Sequence, residues 1–308
     1  MPNANISLPV VGEPQPRKRR LPPWLKRPMP TQQMLETRNL INGLQLNTVC
    51  VEARCPNLTE CWSRGTATFM VLGDECTRRC GFCAISTKKP KPPEDDEPQR
   101  LAEAAAHLGL RHVVITSVAR DDLPDEGATH FARCIAATRE KMPHATIEVL
   151  VPDFHGKREL IEIVCAAMPE VYNHNIETVA RLQKKARPAA RYERTLGVMR
   201  TVKEINPRIK TKSGIMVGLG ETWEELVQTM RDLHEHGCEM ITLGQYLQPG
   251  DDKYLPVERF YPPEEFDKLA DIAREIGFSA VASGPFVRSS YFAETLFAET
   301  DFLKPLTE

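Results

Sequence analysis

From about residue 67 onward, short apolar runs alternate with longer stretches whose apolar positions recur every three or four residues. The short runs, rich in β-branched residues, are Ala67–Leu72, His112–Val118, Thr146–Val151, Val171–His174, Ser213–Val217, Met240–Leu243 and Ser279–Ala282. Each has strand length and is bounded by turn-forming residues. The stretches between them read as amphipathic helices. One starts at Thr222 with Glu225 three residues on, a capping box, and stops at Gly237. Another opens with Pro262-Pro263, sets Phe266, Leu269, Ala270 and Ala273 on one face, and stops before Gly277. About seven βα steps predict an α/β fold with a parallel sheet and helices outside it, either an open sheet or a full or partial barrel. In such folds the chemistry sits at the C-terminal ends of the strands.

Upstream the periodicity is lost. Residues 1–30 are proline-rich and carry the basic run Arg17-Lys18-Arg19-Arg20, followed by Lys26-Arg27, which reads as a mobile arm suited to an acidic partner. Residues 31–66 form a separate short segment. Lys88 to Pro98 reads as an exposed loop. The expected organisation is therefore 1–30 arm, 31–66 cysteine-bearing segment, 67–285 βα unit and 286–308 C-terminal segment.

The totals narrow the function classes. At 308 residues the chain buries enough surface to need no disulfides. A net charge of −2 gives no global attraction for nucleic acid, and no apolar run approaches the ~18 residues of a membrane span. Without the apolar core of a secretion signal, the expected location is the cytoplasm, where thiols stay reduced. Clustered cysteines there indicate metal or redox chemistry.

Six of the nine cysteines form two triads, Cys50-x4-Cys55-x5-Cys61 and Cys76-x3-Cys80-x2-Cys83. Three thiolates leave one position of a four-iron cluster open, and an open position can bind and activate a ligand. The second triad directly follows the first expected strand. Zinc is the competing assignment, although zinc normally takes paired C-x2-C spacing with a fourth ligand nearby. Cys134 and Cys165 lie in helical patterns and read as small core residues. His234, His236 and Cys238 could suggest a metal site, but the histidines end a helix that Gly237 closes.

The stretch Cys76 to Cys83, with Phe82 before the last cysteine, resembles the radical S-adenosylmethionine (SAM) superfamily. Gly214-Ile215-Met216-Val217-Gly218-Leu219-Gly220-Glu221 matches a second superfamily pattern. The usual Gly-Gly-Glu after the second strand is replaced by Thr116-Ser117-Val118-Ala119-Arg120-Asp121-Asp122-Leu123-Pro124. With the first triad, Tyr172–Thr178, Gln245–Pro249 and Val287–Tyr291, the chain from about residue 20 to Tyr291 resembles the lipoyl synthase family.

That resemblance implies a partial (β/α) barrel with an N-terminal extension carrying an auxiliary cluster. It implies two [4Fe–4S] clusters and SAM as cofactors. Cys76, Cys80 and Cys83 would leave one iron open to SAM, whose reductive cleavage yields a 5′-deoxyadenosyl radical. Phe82 would shield that cluster, and Arg78 and Arg79 would favour its thiolates. Cys50, Cys55, Cys61 and Ser290 would hold the auxiliary cluster, spent as the sulfur source, with Ser289 the competing serine. A hard oxygen ligand suits an iron that must detach. Asn175, Glu177, Gly218 and Gly220 would contact SAM, while His174 reads either as a contact or as a satisfied core residue. The implied reaction inserts two sulfurs, at C6 and C8 of an octanoyl group on a lysine of a lipoyl carrier protein, using two SAM. Implied partners are that octanoylated carrier, an electron donor and iron–sulfur assembly proteins, with no nucleic acid and no membrane. A radical methylthiotransferase and a non-catalytic metal-binding module are the alternative readings.

Overall fold

The computed structural model describes residues 22–25, 30–250 and 253–300. The basic run Arg17–Arg20 and Lys26-Arg27 lie outside them. Eight strands form one sheet in sequence order: β1 (Asn47–Thr48), β2 (Thr68–Val71), β3 (His112–Ser117), β4 (Thr146–Leu150), β5 (Val171–Asn173), β6 (Lys210–Val217), β7 (Met240–Gln245) and β8 (Ala280–Gly284). β2 to β8 are parallel throughout, while β1 pairs antiparallel with β2, Asn47 opposite Met70. The short β1 was not expected, and it anchors the first cysteine segment to the edge of the sheet.

The helices are α1 (Gln32–Gly43), α2 (Val49–Glu52), α3 (Leu58–Ser63), α4 (Glu97–His107), α5 (Ala128–Lys141), α6 (Arg158–Ala166), α7 (Gln183–Ala186), α8 (Tyr192–Ile205), α9 (Trp223–Glu235), α10 (Pro263–Ile276) and α11 (Ala293–Ala298). α4, α5, α6, α8, α9 and α10 connect successive parallel strands. α9 starts at the Thr222 capping box, with both reciprocal hydrogen bonds formed, and α10 ends at Gly277. The Lys88–Pro98 loop is shorter than expected, because Glu97 and Pro98 already belong to α4. Pro at a first helical turn loses no bond, and the Glu97 carboxylate accepts from the Leu72 amide at 3.0 Å.

The six-residue α11 touches both β3 and β8. Five strand spacings of a flat sheet cover ~24 Å, but a helix of that length is ~9 Å long. The sheet is therefore curled into an open barrel, with α11 packed inside its curve. Leu296 and Phe297 of α11 pack on Val171, Met240 and Ala280, and Phe297 stacks on His112 with ring centroids 5.5 Å apart.

Beside that plug lies a fully buried polar group. Lys212 donates to both Glu148 oxygens at 2.9 Å, Asn173 donates to Oε1 at 2.9 Å, and His112 lies 3.3 Å from Oε2. These attractions outweigh burial and hold the Glu148 carboxyl down at about 2. β6 consequently starts at Lys210, three residues earlier than its apolar pattern indicates.

The C-terminal segment enters the curve from the top of β8. Its path needs two glycines on the inner face. A Cβ on Gly244 would lie 2.0 Å from the Val287 carbonyl oxygen, and one on Gly214 would lie 2.9 Å from Asn175 Oδ1 and 3.1 Å from Ser289 Oγ.

Candidate active site

Cys76, Cys80 and Cys83 lie on the loop after β2, at the C-terminal end of the sheet. The loop is set at its root. Leu72 takes a left-handed conformation (φ 69°), its N–H bound to Glu97 and its carbonyl accepting from Arg120 Nη1 at 3.1 Å. Beyond the root, the Thr116–Pro124 segment cradles the loop. The Ala119 amide donates to the Cys76 sulfur at 3.3 Å, and the Thr77 amide donates to the Ala119 carbonyl at 3.0 Å. Arg78 forks onto Asp121, with contacts from 2.6 to 3.0 Å, and reaches Asp153 after β4 at 2.6 Å. Arg194 binds the other Asp153 oxygen at 3.0 Å. Against the cost of burial, His174, Arg78 and Arg194 together hold the Asp153 carboxyl well below the usual carboxylate range. The segment standing where Gly-Gly-Glu was absent thus clamps the cysteine loop to two neighbouring strand ends.

The thiols themselves differ from expectation. Burial pushes Cys80 up to about 11, with a smaller opposing pull from Arg187, and pushes Cys83 up to about 12. Arg78 is committed to two carboxylates and Arg79 is exposed, so neither overcomes desolvation. Protons must therefore leave as metal binds. Phe82 packs, partly buried, against the core.

Asn175 and Glu177 stand by this loop, following β5. Asn175 Nδ2 donates to Glu177 Oε1 at 3.1 Å and to Ser289 Oγ at 2.6 Å. The half-buried Glu177 carboxyl is raised by desolvation, against the pull of Arg187, the Asn175 hydrogen bond and Arg288. His174 is buried, with one ring nitrogen 2.8 Å from the Val151 carbonyl and the other 3.1 Å from Thr195 Oγ1, a satisfied core residue. Gly218 and Gly220 have φ of +101° and +104° in the turn after β6, which Glu221 closes by accepting from the Gly218 and Leu219 amides.

The first triad sits on α2, α3 and the loop between them. Cys50, Cys55 and Cys61 line a cavity of about 270 Å³, and Ser290 of the C-terminal segment lines it too. Burial pushes the Cys50 thiol up to about 11, with Cys55 adding to the effect. Ser289 points elsewhere, to Asn175. The two adjacent serines thus reach the surroundings of the two cysteine triads, and consecutive Cα atoms are ~3.8 Å apart.

The donor chemistry fits clusters better than single ions. Each triad supplies three thiols, the donors that iron–sulfur clusters take, and the first has a serine oxygen at the same cavity. Near the second triad, Asn175 Oδ1 and Ser117 Oγ are buried polar atoms without a partner, as a polar ligand such as SAM requires. Among the described residues the compact metal-like group is Asp121, Glu126 and His155, where Arg78 and Lys157 already supply the positive charge. Cys134, Cys165 and Cys238 are buried, and His236 bonds its own helix at the Asp232 carbonyl.

Sequence reading missed the partners that assemble the site: Arg78 with Asp121 and Asp153, Asn57 with the Phe286 carbonyl, and Glu60 with Tyr291. Asn57, Glu60, Arg78, Asp121 and Tyr291 lay in segments already singled out, but their pairing was not visible, and Asp153 and Phe286 lay outside those segments.

The profile of the Radical SAM superfamily matches residues 70–233. The lipoyl synthase of Rhodopirellula baltica is 55% identical over 304 residues, covering 96% of this chain and 95% of its own. That of Methylococcus capsulatus is 52% identical over 289 residues, covering 93% and 89%. Among solved structures, HydG, a maturase of the [FeFe]-hydrogenase, superimposes with a TM-score of 0.56 at 15% identity, covering 69% of this chain and 49% of its own. Streptococcus suis SuiB bound to S-adenosylmethionine gives 0.52 at 13%, covering 71% and 50%. Those two establish the fold alone. With sequence identity across nearly its whole length and both cysteine triads in place, the chain belongs to the lipoyl synthase family of the radical SAM superfamily, enzymes that work with [4Fe–4S] clusters and SAM.

Proposed function

We propose that this chain inserts two sulfur atoms, at C6 and C8, into an octanoyl group carried on a lysine of a lipoyl carrier protein, consuming two SAM. Cys76, Cys80 and Cys83 would hold the cluster that binds SAM. Cys50, Cys55, Cys61 and Ser290 would hold the auxiliary cluster that supplies sulfur. When bound, the first cluster and SAM supply one-electron cleavage to a carbon radical, the chemistry required to break an unactivated C–H bond.

The observation that carries this reading is the placement of Ser289 and Ser290. One turns to the Asn175–Glu177 pair beside the second triad, while the other lines the cavity of the first. A radical source and a sulfur source must both reach one alkyl chain, and here their surroundings are a single residue apart along the backbone.

This chain's residues supply the rest. Arg78, Asp121 and Asp153 fix the loop of the second triad against two strand ends. Asn175 and Glu177 offer SAM a buried amide and a half-buried carboxyl, and Gly218 and Gly220 form the turn that would pass close to it. Cys50 is buried and the other five cysteines of the two triads are half-buried, so both loops leave a face open through which a ligand can reach them. Two outside proteins are needed by this chemistry: an electron donor for the SAM cluster and an assembly system to restore the auxiliary one. The nine free cysteines fit the reducing cytoplasm. Among the described residues no helix is long and apolar enough to cross a membrane.

Anaerobic turnover of an octanoyl-lysine peptide with SAM and reductant, read by mass spectrometry, should show two added sulfurs. SAM cleavage with an unmodified peptide would sink the reading.

A further inference from the structure

The auxiliary cavity is closed by a segment distant in sequence, and one short helix grips that segment at three points. Asn57, the residue preceding α3, is 1% exposed, and its Nδ2 donates to the Phe286 carbonyl at 2.7 Å. Glu60, one turn on, accepts from the Tyr291 hydroxyl at 2.9 Å. Arg64, the C-cap of α3, lies over the Phe292 ring at 4.4 Å. Positions 57, 60 and 64 share one helical face. Cys61 lies on the same helix, and Ser290 falls between the anchored Phe286 and the anchored Tyr291.

We infer that Asn57, Glu60 and Arg64 form a docking face that holds Ser290 at the auxiliary cavity whether or not Ser290 is bound to iron. This rests on the reading of Ser290 as a cluster ligand. A weak oxygen ligand on a free strand would drift away once released. Held by three contacts that involve no metal, it stays beside the cavity, and its return is an intramolecular event at high effective concentration. Tyr291 and Glu60 are thus positioning residues for the fourth ligand. They keep the seat intact between loss of the cluster and its replacement.

The test uses the full chain reconstituted with iron and sulfide, with iron release to a chelator followed by absorbance and the remaining clusters by Mössbauer and EPR spectroscopy. Tyr291→Phe should release iron from the auxiliary site about tenfold faster, the factor one hydrogen bond to a charged group carries. The signal of the SAM-binding cluster should stay unchanged. Glu60→Gln, which keeps a neutral acceptor, should fall between the parent and Tyr291→Phe, and Glu60→Ala should match Tyr291→Phe. The double variant Tyr291→Phe/Ser290→Ala should be no faster than Ser290→Ala, since Tyr291 acts through Ser290. Fast release from Ser290→Ala with a parental rate for Tyr291→Phe overturns the docking inference alone, as does full additivity. Parental release from Ser290→Ala removes the serine-ligand reading and this inference with it.

Discussion

The side-chain amide of Asn175 donates to the hydroxyl of Ser289 at 2.6 Å, joining the end of β5 to the segment that enters the barrel. That bond assigns the two adjacent serines to different neighbourhoods. Ser289→Ala should keep about eight irons per chain, the content of two four-iron clusters, and weaken SAM binding about fivefold, the value of one ordinary hydrogen bond. Equilibrium SAM binding and iron analysis check both points. If Ser289→Ala sheds auxiliary iron and Ser290→Ala does not, the ligand assignment is one residue out of register.

Asp153 is the buried anchor of the cysteine loop, held between Arg78 and Arg194. Asp153→Asn leaves two guanidinium groups facing a neutral amide and should cost about 3 kcal/mol, as removal of one partner from a buried pair does. Asp121→Asn should cost less, about 1 kcal/mol, because its side chain is 26% exposed and water compensates. Urea unfolding of the two metal-free variants gives the comparison, and equal losses would contradict it.

Acid should destabilise the metal-free fold in two stages. Burial, aided by Arg187 and Arg78 and opposed by Asp153 and the Val151 hydrogen bond, lowers His174 to about 4. The unfolded chain takes up this proton near pH 6.5, so the native state loses about 3 kcal/mol as pH falls from 6.5 towards 4. Glu148 is depressed to about 2, so its stabilisation is complete above about pH 4.5 and is lost as pH falls through 2. A His174→Asn variant should flatten the first stage and leave the second. Unfolding free energy measured against pH decides this.

Gly244→Ala places a methyl group against the Val287 carbonyl, a backbone atom that cannot swing aside. The C-terminal segment must shift, so auxiliary iron should fall by half or more while the SAM-binding cluster keeps its spectrum. Equal loss from both clusters would mean that the barrel, not the segment, had moved.

The βα alternation was legible because strands buried on both faces read as unbroken apolar runs. Residues that depart from that rule were not. The expected start of β6 at Ser213 left out Lys210 and Lys212, yet Lys212 is fully buried, because Glu148 two strands away neutralises it. β1, with two residues, is too short to show any period. The cysteine spacings announced two metal sites, and the family pattern pointed to Ser290. Nothing local told that Asn57 would bind the Phe286 carbonyl, since a side chain's partner is set by how the sheet curls. Arg78 was read as a thiol activator because sequence proximity to cysteine was visible and the two carboxylates across the loops were not.

The docking of α3 on the C-terminal segment spans 229 and 231 positions of sequence. A ribosome makes Cys50, Cys55 and Cys61 early, yet the wall that carries Ser290 arrives only after β8 has been made. The auxiliary cavity therefore cannot close on a nascent chain. If Ser290 completes the cluster of that cavity, the cluster can be finished only in a barrel whose last strand is already in place.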